Sequence, residues 1–236
     1  CYKHSSFDST QMGWMWKRGA GFDVVTYDGQ TATIKDERHS LNSVPEMMWI
    51  KARTGQYAGS ANWFVYHKDL NGGTNPENYN LILNTNAAEA SSGLQYWQRQ
   101  PTSTHFTRGN TGGTGYTGWT YLNILFSSVE GISKVGSYTG TNGSASPGGD
   151  IAQTITTGFS PRFVIIKRID STADWLVLDT LRGWGAGNDA NLFLDANWAQ
   201  SGFNFGAPTS TGFGLTYDEL GYYNSNGGKY IYYAHA

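Results

Sequence analysis

The chain states one pattern twice, in the same order, and this repetition confines it to architectures built from two like units. Tyr27-Asp28-Gly29, Val44-Pro45 leading into Met47-Met48-Trp49-Ile50-Lys51, and Trp63-Phe64-Val65-Tyr66 return as Tyr138-Thr139-Gly140, Ser160-Pro161 leading into Phe163-Val164-Ile165-Ile166-Lys167, and Trp175-Leu176-Val177-Leu178. Pro45 and Pro161 lie 116 positions apart, Trp63 and Trp175 112, Leu83 and Leu194 111, and Phe106 and Phe213 107. A separation that shrinks this slowly reads as small loop deletions between matched elements. The period is several times that of a solenoid unit, so each copy is the size of a sheet.

The elements inside each copy read as strands. Apolar runs are short, at 22–27, 47–50, 63–66, 80–83 and 119–126, then at 163–166, 175–178, 191–194 and 229–234. They are rich in β-branched and aromatic residues and are bounded by clusters such as Asn71-Gly72-Gly73, Gly112-Gly113 and Asn226-Gly227-Gly228, which supply the positive φ of tight turns. With 31 glycines and only 6 prolines, this is an all-β composition. The best helical stretch, 85–90, is about one turn long and too short to stand alone. Residues 13–18 read as the closing strand of an earlier copy, since 119–126 and 229–234 hold the same place before the next boundary. The expected division is therefore 1–18 as the end of a preceding repeat, 19–130 as the first β copy and 131–236 as the second. No Pro- or Ser-rich linker separates the copies, so they should pack together or form two halves of one sandwich.

Several functional classes are disfavoured at once. A formal net charge of −2 with 14% charged residues gives no basic field for nucleic acid. Cys1 is the single cysteine, which excludes an internal disulfide, a zinc cluster and a redox pair. No run of about 18 apolar residues suggests membrane insertion, and the amino terminus lacks a signal-peptide pattern. A start at Cys rather than Met predicts a piece of a longer or processed chain.

Motifs with chemistry are sparse. Gly113-Thr114-Gly115-Tyr116-Thr117-Gly118 fits the dinucleotide pattern literally, but a strand follows it where the motif needs a helix, so a hairpin turn is expected and no cofactor. His4, His39, His67, His105 and His235 are scattered without metal-ligand spacing. Asn84-Thr85-Asn86 and Asp195-Ala196-Asn197 offer paired oxygens after matched strands, which turn formation explains, so no metal is expected. A glycosidase needs two carboxyl groups roughly 5 to 10 Å apart. Glu46, Asp69, Glu89, Asp179, Asp195 and Glu219 are candidates, yet no same-strand Glu-x-Asp-x-x-Glu set occurs and no Gly-x-Ser-x-Gly elbow appears. The expectation is a non-enzyme.

Aromatic residues are the remaining signal, with 9 tryptophans and 15 tyrosines. Trp63 and Trp175 open matched strands and are expected in the core. Trp97, Tyr116, Trp184, Trp198, Tyr222 and Tyr223, together with Tyr96, fall in or near loops without clear mates in the other copy. They are the candidate ligand-binding residues, because aromatic faces stack on sugar rings and form rigid contact area at interfaces.

His39-Ser40-Leu41-Asn42-Ser43-Val44-Pro45 before Met47-Met48-Trp49-Ile50-Lys51, then a Trp-led strand, then Leu81-Ile82-Leu83-Asn84 with Ala87-Ala88-Glu89, resembles modules of bacteriophage tail-fibre and other virion structural proteins of marine and cyanobacterial type. Gly158-Phe159-Ser160-Pro161, Asp174-Trp175, Arg182-Gly183, Leu194-Asp195-Ala196-Asn197 and Tyr230-Ile231-Tyr232-Tyr233-Ala234 resemble the companion half. The resemblance implies an antiparallel, jelly-roll, concanavalin A-like β-sandwich. It further implies a viral fibre or appendage protein, in the virion and extracellular, that attaches to a host-surface glycan or protein. Other virion subunits would be partners and a homo-oligomer, such as a trimer, the assembly. A polysaccharide depolymerase and a purely architectural stalk or capsid decoration are the alternatives.

Overall fold

The computed structural model describes residues 13–55, 62–142 and 149–236; Cys1 and His4 lie outside them. The first copy contributes β1 (Phe22–Asp28), β2 (Lys35–Arg38), β3 (Met47–Ala52), β4 (Phe64–His67), β5 (Tyr79–Ile82), β6 (Ala90–Ser91), β7 (Trp97–Arg99), β8 (His105–Arg108) and β9 (Thr120–Phe126). The second contributes β10 (Ser133–Thr139), β11 (Gln153–Thr156), β12 (Phe163–Arg168), β13 (Leu176–Asp179), β14 (Asp189–Phe193), β15 (Ser201–Phe203), β16 (Gly206–Thr209), β17 (Gly212–Leu215) and β18 (Lys229–His235). Helix is confined to 3₁₀ turns of three or four residues among the described residues.

The same sheet is built twice. In the first copy six antiparallel strands run in the order β1-β9-β3-β4-β5-β6 beside a three-stranded sheet β2-β8-β7; in the second the orders are β10-β18-β12-β13-β14-β15 and β11-β17-β16. Register agrees too, since Met47 faces His67 across β3 and β4 as Phe163 faces Asp179 across β12 and β13. The molecule is an all-β, antiparallel sandwich made of two related halves.

Alternation along the strands assigns each face. Met48, Ile50, Phe64 and Tyr66 point toward Trp97 and Phe106 of the first small sheet, and Val164, Ile166, Leu176 and Leu178 toward Ile155, Phe213 and Leu215 of the second. The opposite residues, Met47, Trp49, Val65 and Phe126, meet Phe163, Ile165, Val177 and Tyr233 in a core shared by both copies. Both large sheets are covered on both faces, which is why β3, β4, β12 and β13 are near-continuous apolar runs rather than alternating ones.

Two expectations are corrected here, on residues 13–18 and on Trp63. Residues 13–17 form no strand. Trp14 instead meets Phe163 at 5.7 Å, and Trp16 lies 6.3 Å from Phe126 and 5.5 Å from Phe163, so this segment covers the seam between the copies. The 85–90 stretch is not helical, as its length implied. Its backbone bonds to the other copy: Glu89 N–H donates to the Ile169 carbonyl at 2.8 Å, and Asn86 O accepts from Ala173 N–H at 3.0 Å. Finally, Trp63 is half-buried, whereas Trp175 is fully in the core.

Candidate functional site

One groove gathers three of the seven candidate aromatics, Trp198, Tyr222 and Tyr223. It has a volume of about 300 Å³ and is lined by Phe193, Trp198, Phe203, Leu220, Tyr222 and Tyr223 among others, at the β14–β15 edge of the second large sheet. Trp198 is 60% exposed and Leu220 65%. The Trp198 ring stands edge-on to Phe193 at 5.7 Å, and Tyr222 meets the same phenyl at 6.0 Å, so Phe193 fixes both flanking rings. Tyr223 is 1% exposed and forms the floor through Phe205, 5.1 Å away.

The loop carrying Tyr222 is held by one carboxylate. Buried Asp218 accepts N–H groups from Gly221 and Tyr222 on Oδ1, and from Tyr223, Asn224 and Ser225 on Oδ2, at 2.7–3.1 Å. Asn142 clamps the Asp218 backbone, accepting its N–H at 2.6 Å and donating to its carbonyl at 3.2 Å. The groove's loop is therefore preorganised by side-chain-to-backbone hydrogen bonds.

Trp198 also lines a second, shallower cleft of about 450 Å³ with Thr85, Asn86, Asp174, Asp195 and Asn197. The two oxygen-rich sequence pairs thus meet across the copies. Burial pushes the Asp195 carboxyl above its ordinary range; the Trp175 N–H pulls the other way, and the neighbouring Asp174 charge adds to the rise. Among the described residues no three His, Cys, Asp or Glu side chains are grouped as metal ligands.

The other candidates have structural roles. Trp97 is 0% exposed and Trp184 4%, so the expectation that they lie in surface loops is corrected: Trp97 packs under Tyr66 at 5.7 Å, and Trp184 against Phe213 at 6.1 Å. Tyr116 is exposed but stands apart, against Trp119 on the 109–119 crossover of the first copy. Half-buried Tyr96 covers Phe64 at 4.3 Å. That crossover is also the Gly113–Gly118 stretch. It joins β8 of the small sheet to β9 of the large one, so it is a turn between sheets rather than a hairpin. Its Gly115 carbonyl accepts from buried Arg108 Nη1 at 3.2 Å, and a Cβ at Gly115 would lie 2.2 Å from the Gly109 carbonyl oxygen and 2.4 Å from that nitrogen. Close approach to the Gly109 backbone and to Arg108 therefore accounts for this glycine.

Most candidate carboxylates are engaged in structure. Glu46 pairs with Lys68 and accepts the Ser128 N–H, Glu89 accepts the Asn71 N–H at 2.7 Å, and Asp179 pairs with Arg182. Sequence reasoning missed Phe193, Leu220 and Asp174. The Asp174 signal was available, because Asp174-Trp175 repeats Asn62-Trp63.

No curated protein and no solved structure matches the chain. A family model does match, across residues 14–236, and it spans both copies and the seam segment together; the chain belongs to DUF7483, a domain of unknown function.

Proposed function

We propose that this domain is a rigid attachment module of a viral fibre or related virion appendage, displayed outside the virion, and that the Trp198 groove holds host-surface glycan. The supporting observation is Trp198 itself, a large indole 60% exposed beside a rigid aromatic wall. A flat apolar face rimmed by polar groups suits the apolar face of a sugar ring. Glu219 and Asn191 supply polar atoms at the same groove. Assembly of several copies with other virion subunits, as a homo-oligomer, would multiply a weak single site through effective concentration. The depolymerase alternative has less support, because the candidate carboxylates Glu46, Glu89 and Asp179 are engaged in ion pairs or backbone hydrogen bonds.

The test is to incubate the domain with host-surface polysaccharides, recording retained protein and new reducing ends. Retention without new ends is expected, and Trp198→Ala should weaken it about tenfold or more while leaving the melting temperature nearly unchanged. Retention indifferent to Trp198→Ala would remove the groove from the proposal. Silence in both assays would leave an architectural module, and new reducing ends an enzyme.

A further inference from the structure

We propose that the cleft between Asp174 and Asp195 binds a divalent cation of the calcium class. The two copies solve the same local problem differently. In the first, Trp63 N–H donates to Asn84 Oδ1 at 2.9 Å, and Asn84 Nδ2 donates to Asn62 Oδ1 at 3.0 Å. The second repeats the first bond, Trp175 N–H to Asp195 Oδ1 at 2.9 Å. Where the amide–amide bond stood, however, two carboxylates now face each other, and neither carries a donor.

Lysine offsets only part of this, since the Lys167 ammonium attracts both carboxylates without a hydrogen bond to either. Lys167 lies nearby, with its ammonium 6.0 Å from the centre of the Trp175 ring. Its three N–H groups are committed to the carbonyls of Asn86 at 3.2 Å, Arg168 at 2.7 Å and Ala173 at 2.8 Å. An ammonium has only three donors. Asp174 is 6% exposed, and among the described residues no N–H or hydroxyl donates to its carboxylate. One ammonium balances one of the two carboxylates, and the second still lacks a counter-charge. The cleft supplies the other ligands such an ion takes, since Asn86, Asn197 and Thr85 bring carboxamide and hydroxyl oxygens to the same space. Carboxylate, carboxamide and hydroxyl oxygens without nitrogen or sulfur suit calcium or magnesium rather than zinc. With two carboxylates the affinity belongs at the weak, extracellular end of the calcium range, about 10⁻⁴ to 10⁻³ M.

The inference is independent of the glycan proposal, because its test contains no sugar. The full chain is stripped with a chelator and its melting temperature followed on adding calcium chloride to roughly ten times the upper end of that range. A rise of roughly 3–6 °C is expected. The variant Asp174→Asn with Asp195→Asn recreates the first copy's own arrangement, and it should fold with no response to calcium. A second readout serves if that variant does not fold: terbium emission sensitised by Trp198 and displaced by calcium. Absence of any calcium response in the parent chain, an equal response in the variant, or no sensitised terbium emission would each overturn the site. Stability of the parent that rises only on acidification, with calcium inert, would mean that the pair holds a proton instead.

Discussion

At position 67 the first copy buries an imidazole where the second places Asp179, and this one difference sets a pH dependence. Burial, with a smaller part from the charge of Lys68, lowers His67 from 6.5 to about 3. The ring is neutral in the folded chain, and its Nδ1 accepts the Asp69 N–H at 3.1 Å. Unfolded, the same histidine charges near its ordinary value. Between these values the unfolded chain therefore holds one more proton than the folded one. The stability contribution is complete above about pH 6.5 and falls as pH drops, by about 1.4 kcal/mol per pH unit at full slope. Urea unfolding near pH 6 and near pH 5 should show this loss in the parent and a shallower one in His67→Gln; equal slopes would refute the assignment. Residue by residue, burial was the least legible property in the sequence. Trp97, Trp184 and Tyr223 lack mates in the other copy and so resembled surface residues, but an unmatched aromatic can equally fill a gap that the other copy closes with different side chains. Trp198 and Tyr222 were identified by the same reasoning, and only packing separates the two outcomes.

Among the elements, the 217–225 loop has most of its backbone donors taken by one side chain. Asp218 accepts five backbone N–H groups, and none of the five is part of a strand. Asp218→Ala would leave those donors without their acceptor and should cost about 3 kcal/mol or more. The loss should be local: amide exchange at residues 221–225 accelerates, the Trp198 groove loses any ligand, and protection in β12 and β18 survives. Uniform loss of protection would show instead that the loop is needed for the whole fold. Inner strands of the large sheets were legible because both of their faces are apolar. The edge strands β6, β10 and β15 and the strands of the small sheets were not. Lys35–Arg38 reads Lys-Asp-Glu-Arg and carries no hydrophobic signal, yet it is β2, with Glu37 paired to buried Arg108 at 3.1 Å. In β17, Gly212–Leu215, two glycines dilute the pattern. Gly212 is needed there, since a Cβ would meet the Ile155 carbonyl at 1.9 Å. Nor could the sequence reveal the acidic pair as a pair, because Asp174 and Asp195 converge only once β13 and β14 have formed.

For the molecule as a whole, the shared core decides how it unfolds. Met47, Trp49, Val65, Leu70, Leu81, Leu83 and Phe126 come from the first copy, and Val135, Phe163, Ile165, Ile169, Trp175, Val177, Ile231 and Tyr233 from the second. Phe126 touches Trp49 at 4.9 Å within its own copy and Tyr233 at 4.8 Å across the seam. Backbone and indole bonds cross the same seam, including Trp175 Nε1–H to the Ile82 carbonyl at 3.1 Å. A half expressed alone would expose one complete apolar face of a six-stranded sheet, and such a face is an association surface rather than a stable exterior. The intact chain is therefore expected to melt in one calorimetric transition. Phe126→Ala should lower stability by about 3–5 kcal/mol, as for a large buried aromatic. It should also shift that single transition when unfolding is followed by probes placed separately in each copy. Two resolved transitions in the parent chain, or a Phe126→Ala shift confined to the first copy, would mean that the seam is a docking contact between two domains. Coincident shifts at both probes would mean that the two copies have become one folding unit, with the repeat surviving only in their topology.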